Sequence, residues 1–299
     1  MVNKFLKVGF DAISLWDFRR GEGGYEINKT NHSTKVDGWG RVFKGDWYTW
    51  EGVFKNPEIL DNWKYLILPS NEKIEKLKKF LSINRKDLNY ILSLPGLFEK
   101  TWQSMGFVFF SKCLKKNQEL IFKVVKFFHT YIENLVKSLK KANVKVFLIA
   151  DDLGYKNRTF LPKDIWEFFF LQDYMDLVEY IKKDNESNVI LHSDGYISSM
   201  MDLFIEIGFD AIQGLEPNAG IDIFSLFKQY RNKICFIGNV DVSTLLTFGT
   251  KIEVKDYISK LKGASRKYNS PLIVSPTQQI HDKVKPENLF AMIKAAKTL

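Results

Sequence analysis

From Val144 onward the chain alternates between short apolar, β-branched runs and longer segments of helical period, and this pattern limits the fold more than any other feature. The runs are Val144–Ala150 (VKVFLIA), Asn188–His192 (NVILH), Asp210–Leu215 (DAIQGL), Lys233–Gly238 (KICFIG) and Pro271–Ser275 (PLIVS). Between them lie Lys163–Lys183, Ser198–Ile207, Ile223–Arg231 and Val254–Tyr268. Strand, helix, strand in strict succession predicts a parallel sheet with helical crossovers. The runs are apolar throughout, as strands buried on both faces must be.

Upstream, Val8–Leu15 and Leu88–Leu94 read as two further strands, and Glu72–Leu81, Leu97–Met105 and Leu120–Lys141 as helices. The stretch Arg19–Lys55 is rich in Gly and Trp with little helical period, and reads as a hairpin or long loop over one barrel mouth. No repeat, low-complexity tract or linker divides the sequence, so residues 1–299 read as one α/β domain. That length suits a TIM-type (β/α)8 barrel. Seven strands leave it one short of closure, so the expectation is a barrel lacking or shortening its first N-terminal strand. Bare sheet edges are normally covered, which predicts either a homo-oligomer or closure of the gap by Arg19–Lys55.

Composition narrows the function. No apolar run nears the roughly 20 residues that cross a bilayer, and MVNKFLKVGF lacks the features of a signal peptide, so a cytoplasmic protein is expected. Cys113 and Cys235 stand apart, which excludes a disulfide framework and a thiolate zinc knuckle. The net charge of +9 comes mainly from lysines on helical faces, such as Lys73, Lys76, Lys78 and Lys79. It suits a solvated surface or an acidic partner, and no nucleic-acid-binding motif accompanies it.

The polar groups gather where each run ends. Asp151 and Asp152 follow the first; His192, Ser193, Asp194 and Gly195 end the second; Glu216, Pro217 and Asn218 follow the third. Asn239, Val240 and Asp241 follow the fourth, and Ser275, Pro276, Thr277 and Gln278 close the last. In a barrel these ends meet on one rim, where barrel active sites lie. An Asp after a strand is often only a helix cap, but capping requires neither His beside Asp nor Glu-Pro-Asn. His192 and Asp194, two apart on an extended strand end, share a face. With Asp152 or Glu216 they make a three-ligand N/O site with an open position, as in catalytic zinc. The metal-free alternative has the same groups hydrogen-bonding an organic substrate and moving protons.

These residues also carry a family resemblance. IADDLGYKNRTFLPKDIWEF (Ile149–Phe168), LHSDG (Leu191–Gly195), EIGFDAIQGLEPNAGIDI (Glu206–Ile223), FIGNVDVSTLLTFGT (Phe236–Thr250) and VKPENLFAMIKA (Val284–Ala295) resemble the uroporphyrinogen-decarboxylase superfamily. That group contains the decarboxylases and the cobalamin-dependent methyltransferases, and the resemblance implies a (β/α)8 barrel with a rim active site. Decarboxylases hold substrate carboxylates with an Arg-rich segment at the first strand. Here the nearest substitutes, Arg19 and Arg20, lie past Val8–Leu15, and Gln278 stands where many decarboxylases have His, with His281 offset. Coenzyme-M methyltransferases use a His-x-Cys pair and a late Cys, where this chain has His192-Ser-Asp194 and no Cys in Ser275–Gln278.

What remains is similar to the O-demethylase methyltransferases, in which His and carboxylates hold zinc and a methyl group passes from oxygen to cobalamin on a partner corrinoid protein. The resemblance then implies Asp152, His192 and Asp194 as zinc ligands, with Glu216 as an alternate catalytic group. Asp151, Asn218, Asn239, Asp241, Gln278 and Arg19 would bind a small methylated substrate, and Trp39–Trp50 would shape an aromatic lid or simply pack. Competing expectations are a metal-free uroporphyrinogen decarboxylase and a ligand-binding barrel without catalysis.

Overall fold

The computed structural model describes residues 8–15, 24–29, 32–83 and 88–298. Strand β1 (Ala12–Leu15) is followed by β2 (Gly24–Lys29), β3 (His32–Asp37), β4 (Arg41–Lys44) and β5 (Trp47–Gly52). Helices α1 (Pro57–Asp61) and α2 (Asn71–Ile83) lead to β6 (Asn89–Pro95). Helices α3 (Leu97–Met105), α4 (Phe107–Lys116) and α5 (Gln118–Lys141) precede β7 (Val146–Ala150). A small hairpin of β8 (Gly154–Tyr155) and β9 (Arg158–Thr159) and helix α6 (Lys163–Lys182) bring the chain to β10 (Asn188–Ser193). The remainder alternates as α7 (Met201–Ile207), β11 (Ala211–Gly214), α8 (Ile223–Gln229), β12 (Cys235–Val240), α9 (Lys251–Tyr268), β13 (Leu272–Pro276) and α10 (Pro286–Lys297).

Seven strands form one parallel sheet in the order β1-β6-β7-β10-β11-β12-β13. These are the seven runs expected from the sequence. Among the described residues no ladder joins β13 back to β1, so the architecture is a TIM-type barrel short of one strand. Alternation along the strands separates two cores. Leu148, Ala150, Ile190, Ala211 and Ile237 pack together on the inner face. Phe147, Ile149, Val189, Leu191, Ile212 and Phe236 belong instead to the large core shared with the helices.

The helices follow their apolar period. In α5 the buried residues Leu120, Val124, Phe128, Ile132, Leu135 and Leu139 recur every three or four positions, which lays one stripe against the sheet. The Asn117 side chain accepts from Leu120 N–H and caps the start. Helix α9 opens with a capping box between Thr250 and Glu253. Helix α4 was not expected: four apolar residues in succession, FVFF, hide its period.

Arg19–Lys55 departs from expectation. Rather than a hairpin or loop, its described part holds β2 to β5, an antiparallel four-stranded sheet whose ladder partners are one another. It therefore adds no strand to the barrel. It packs on α3 and α4, with Trp50 stacked on Trp102 at 5.3 Å. Trp39 is fully buried against Phe128 and Tyr131, a packing role, whereas Trp47 is 83% exposed. No helix of the described residues is long and apolar enough to cross a membrane.

Candidate metal centre

Strand parity aims the site. Asp152 continues the inner-face series Leu148, Ala150, and Asp194 continues Ile190, His192. Because β7 and β10 are paired in register, with His192 opposite Ala150, the three polar groups emerge together at the C-terminal end of the sheet. His192 Nε2 lies 3.8 Å from Asp152 Oδ1 and 3.6 Å from Asp194 Oδ1. One ligand atom from each of the three residues lies within 4.8 Å of the others. Asp194 N–H also donates to Asp152 Oδ1 at 3.2 Å. His192 is 7% exposed and the two carboxylates are half-buried. Two carboxylate oxygens converging on one imidazole nitrogen suit a divalent cation, which offsets the charge the acids concentrate.

Two glycines hold the loops that carry these ligands. A Cβ on Gly195 would lie 2.4 Å from the Gly154 carbonyl carbon, and one on Gly154 would lie 2.6 Å from Tyr196 N. Gly195 also has a φ of +76°, a conformation that costs other residues energy. The turn after β7 and the turn after β10 thus meet backbone to backbone, which only glycine permits.

Around the triad stands a polar ring. Glu216 accepts from Gly195 N–H at 3.1 Å and from the Gln278 amide. Burial first, and then the neighbouring Asp194 charge, raise the Glu216 carboxyl above its ordinary range; the Gly195 N–H works the other way. Asn218 donates to Asp241, whose other oxygen accepts Thr244 N–H at 2.9 Å and caps the following turn.

Two residues expected to bind substrate are placed elsewhere. Asp151 has the opposite parity to Asp152 and is fully buried toward the helices. Its carboxylate accepts from Phe98 N–H at 3.0 Å, from Glu99 N–H at 2.6 Å and from the Tyr174 hydroxyl. It therefore caps α3 instead of facing a ligand. Burial pushes it up to about 7, against the lowering effect of the Tyr174 hydroxyl. Asn239, 1% exposed, donates to Leu215 O at 2.6 Å and accepts from the Tyr257 hydroxyl, so it fastens β11 and α9 to β12. Arg19 and Arg20 lie outside the described residues. His281 is exposed and its Nδ1 accepts Lys283 N–H at 3.2 Å.

One participant escaped the sequence reading. Gln213 lies directly opposite His192 in the β10–β11 register, and its Oε1 meets His192 Nδ1. A single amide inside the otherwise apolar strand AIQG was the available signal.

The sequence profile described as Uroporphyrinogen decarboxylase (URO-D) matches residues 100–299. Among curated protein sequences none matches. In solved structures, a methyltransferase from Methanosarcina mazei is similar at a TM-score of 0.73 and 14% identity, over 99% of this chain and 82% of that one. A Listeria monocytogenes protein named for vitamin-B12-independent methionine synthase is similar at a TM-score of 0.56 and 13% identity, over 99% of this chain and 83% of that one. At such identities the likeness concerns the fold. The profile match spans two thirds of the sequence, including every strand from β7 onward and the whole triad, and by it this chain belongs to the uroporphyrinogen decarboxylase family.

Proposed function

We propose that this chain is a zinc-dependent methyltransferase that takes a methyl group from an oxygen of a small donor and delivers it to a corrinoid protein. The observation that carries the reading is the convergence of Asp152, His192 and Asp194 at the C-terminal rim. The name of the Methanosarcina mazei neighbour, a methyltransferase, agrees with it.

Asp152, His192 and Asp194 would hold the ion. When bound, zinc supplies Lewis acidity toward the donor oxygen and makes it a better leaving group, while the corrinoid supplies the nucleophile that accepts the methyl. The chain's own residues do the rest. Glu216 stands beside the triad, accepting Gly195 N–H, and would exchange a proton with the departing oxygen. Gln278 holds Glu216 in place, and Asn218 with Asp241 continues the rim beside it, after β11 and β12.

The acidic character of the ring weighs against decarboxylation of a polycarboxylate. Asp152, Asp194, Glu216 and Asp241 would repel substrate carboxylates that decarboxylases bind with guanidinium groups. Among the described residues Arg41 is engaged by Asp37 at 2.6 Å on the small sheet, Arg158 lies exposed on β9, and none of the ring residues named above is an arginine.

The test is zinc analysis of the purified chain together with methyl transfer from methoxylated donors to a corrinoid protein. The expected result is about one zinc per chain, with activity lost on chelation and in His192→Ala, and restored to the wild type by added zinc. Full methyl transfer by metal-free protein would overturn the reading, as would loss of carboxylate from uroporphyrinogen on incubation.

A further inference from the structure

We infer that Gln213 is a positioning residue that fixes the tautomer of His192 and turns its Nε2 toward Asp152 and Asp194. The inference rests on the metal reading for its purpose, but its geometry stands by itself.

The contacts behind His192 start at Thr277. That residue is 3% exposed and fixed on two sides: its N–H donates to Val240 O at 2.9 Å, and its hydroxyl oxygen accepts Val242 N–H at 3.3 Å. Its carbonyl oxygen can only accept a hydrogen bond. Gln213 Nε2 lies 3.4 Å from that oxygen, so the donor end of the amide faces Thr277. The opposite orientation would set two carbonyl oxygens against each other. Gln213 Oε1 is thereby directed at His192 Nδ1. A carbonyl oxygen has no hydrogen to give, so Nδ1 must carry one. With Nδ1 the N–H, Nε2 is the nitrogen whose lone pair serves as ligand.

The consequence is electrostatic. Nε2 faces Asp152 Oδ1 at 3.8 Å and Asp194 Oδ1 at 3.6 Å. A lone pair aimed at two carboxylate oxygens is unfavourable unless a cation lies between them. Left to those carboxylates alone, the ring would place an N–H toward them. Gln213 instead takes the single hydrogen of the neutral ring at Nδ1, the tautomer a cation requires, and Thr277 keeps Gln213 from turning over. The relay ties the residue after β13 to β11 and to the C-terminal end of β10. Metal-ligating histidines are commonly oriented by such an acceptor behind the ring, and its loss typically costs about 10–100-fold in metal affinity.

The experiment has two arms on the full chain. In the first, nitrogen-15 histidine spectra of metal-free wild type, with His192 assigned by its loss in His192→Asn, report which ring nitrogen is protonated. The inference expects the neutral ring, reached by raising the pH until one ring nitrogen alone is protonated, to carry its hydrogen on Nδ1, and a neutral ring with its hydrogen on Nε2 overturns it. In the second, zinc is titrated against a chromophoric chelator. Gln213→Leu, which offers no acceptor, should bind zinc about 10–100-fold more weakly. Gln213→Glu, which keeps an acceptor for Nδ1 but gives up the bond to Thr277, should bind zinc more tightly than the Leu variant. Equal zinc affinity in the Leu variant overturns the inference, as does a folded Glu variant as weak as Leu. Wild type that binds no zinc removes the metal reading, while the spectra still decide the tautomer. If Gln213→Leu fails to fold, the Glu variant and the spectra carry the test.

Discussion

Asp151 and Asp152 are neighbours in sequence and opposites in environment, because successive residues of an extended strand face opposite sides. Asp152 looks into the barrel with Leu148 and Ala150, while Asp151 looks out and receives Phe98 N–H, Glu99 N–H and the Tyr174 hydroxyl. Asp151→Ala would strand two helix-end donors and one hydroxyl in a closed space. Each unsatisfied buried donor costs about 1–3 kcal/mol, and partial rescue by entering water sets the expected loss at about 3 kcal/mol. Urea denaturation measures it directly, and a loss below about 1 kcal/mol would contradict the capping role. Strand parity was available in the sequence, since Leu148, Ala150 and Asp152 are two apart. What was hidden is the partner: α3 begins some fifty residues upstream, and local pattern carries no record of such pairings. The same reason hid Gln213, whose meaning depends on His192 across the ladder and Thr277 across the barrel.

Helices with one apolar stripe, such as α5 and α9, announce themselves by period, and strands buried on both faces by unbroken apolar runs, which is why these helices and the seven parallel strands could be read from the sequence. Elements with neither mark could not. The small sheet reads GYEINK, HSTKVD, RVFK and WYTWEG, with polar residues at both parities and no clean alternation. The Gly in LHSDG belongs to this scale, because it decides how two turns fit together. At Gly195 a side chain would meet Gly154 backbone at 2.4 Å in a left-handed conformation. Gly195→Ala should therefore cost about 2 kcal/mol or more, from about 1–2 kcal/mol of backbone strain and the displacement of the β8 turn. Zinc affinity should fall with it, since the displaced turns carry Asp152 and Asp194. Gly263, inside α9, is the control: nothing lies within 4 Å of an added Cβ. Gly263→Ala should stabilise by about 0.5–1 kcal/mol and leave zinc binding unchanged. If both variants shift zinc affinity alike in titrations, the glycine contact does not position the site.

For the whole molecule, the seven-stranded sheet leaves β1 and β13 as its end strands, and among the described residues no strand of the small sheet pairs with a barrel strand. Nothing in that topology closes the barrel as a hydrogen-bonded ring, so stability rests on the two cores and on whatever ties the strand ends together. A cation held by Asp152, His192 and Asp194 would leave that gap open but would fasten the turns that follow the paired strands β7 and β10, a tie between β7 and β10 beyond their ladder. A ligand that binds only the folded state adds RT ln(1 + [L]/Kd), about 2.7 kcal/mol at one hundred times Kd. Unfolding entropy of about 2.1 cal/mol/K per residue gives about 0.6 kcal/mol/K for a chain of 299 residues. Saturating zinc should therefore raise the melting temperature by about 4 °C. His192→Asn should abolish that increase while melting, metal-free, close to the metal-free wild type, because the substitution removes a ligand and little packing. Scanning calorimetry of both proteins with and without zinc decides the matter. An equal increase in His192→Asn would place the stabilising zinc elsewhere on the chain, and with it the tie between β7 and β10 would be lost.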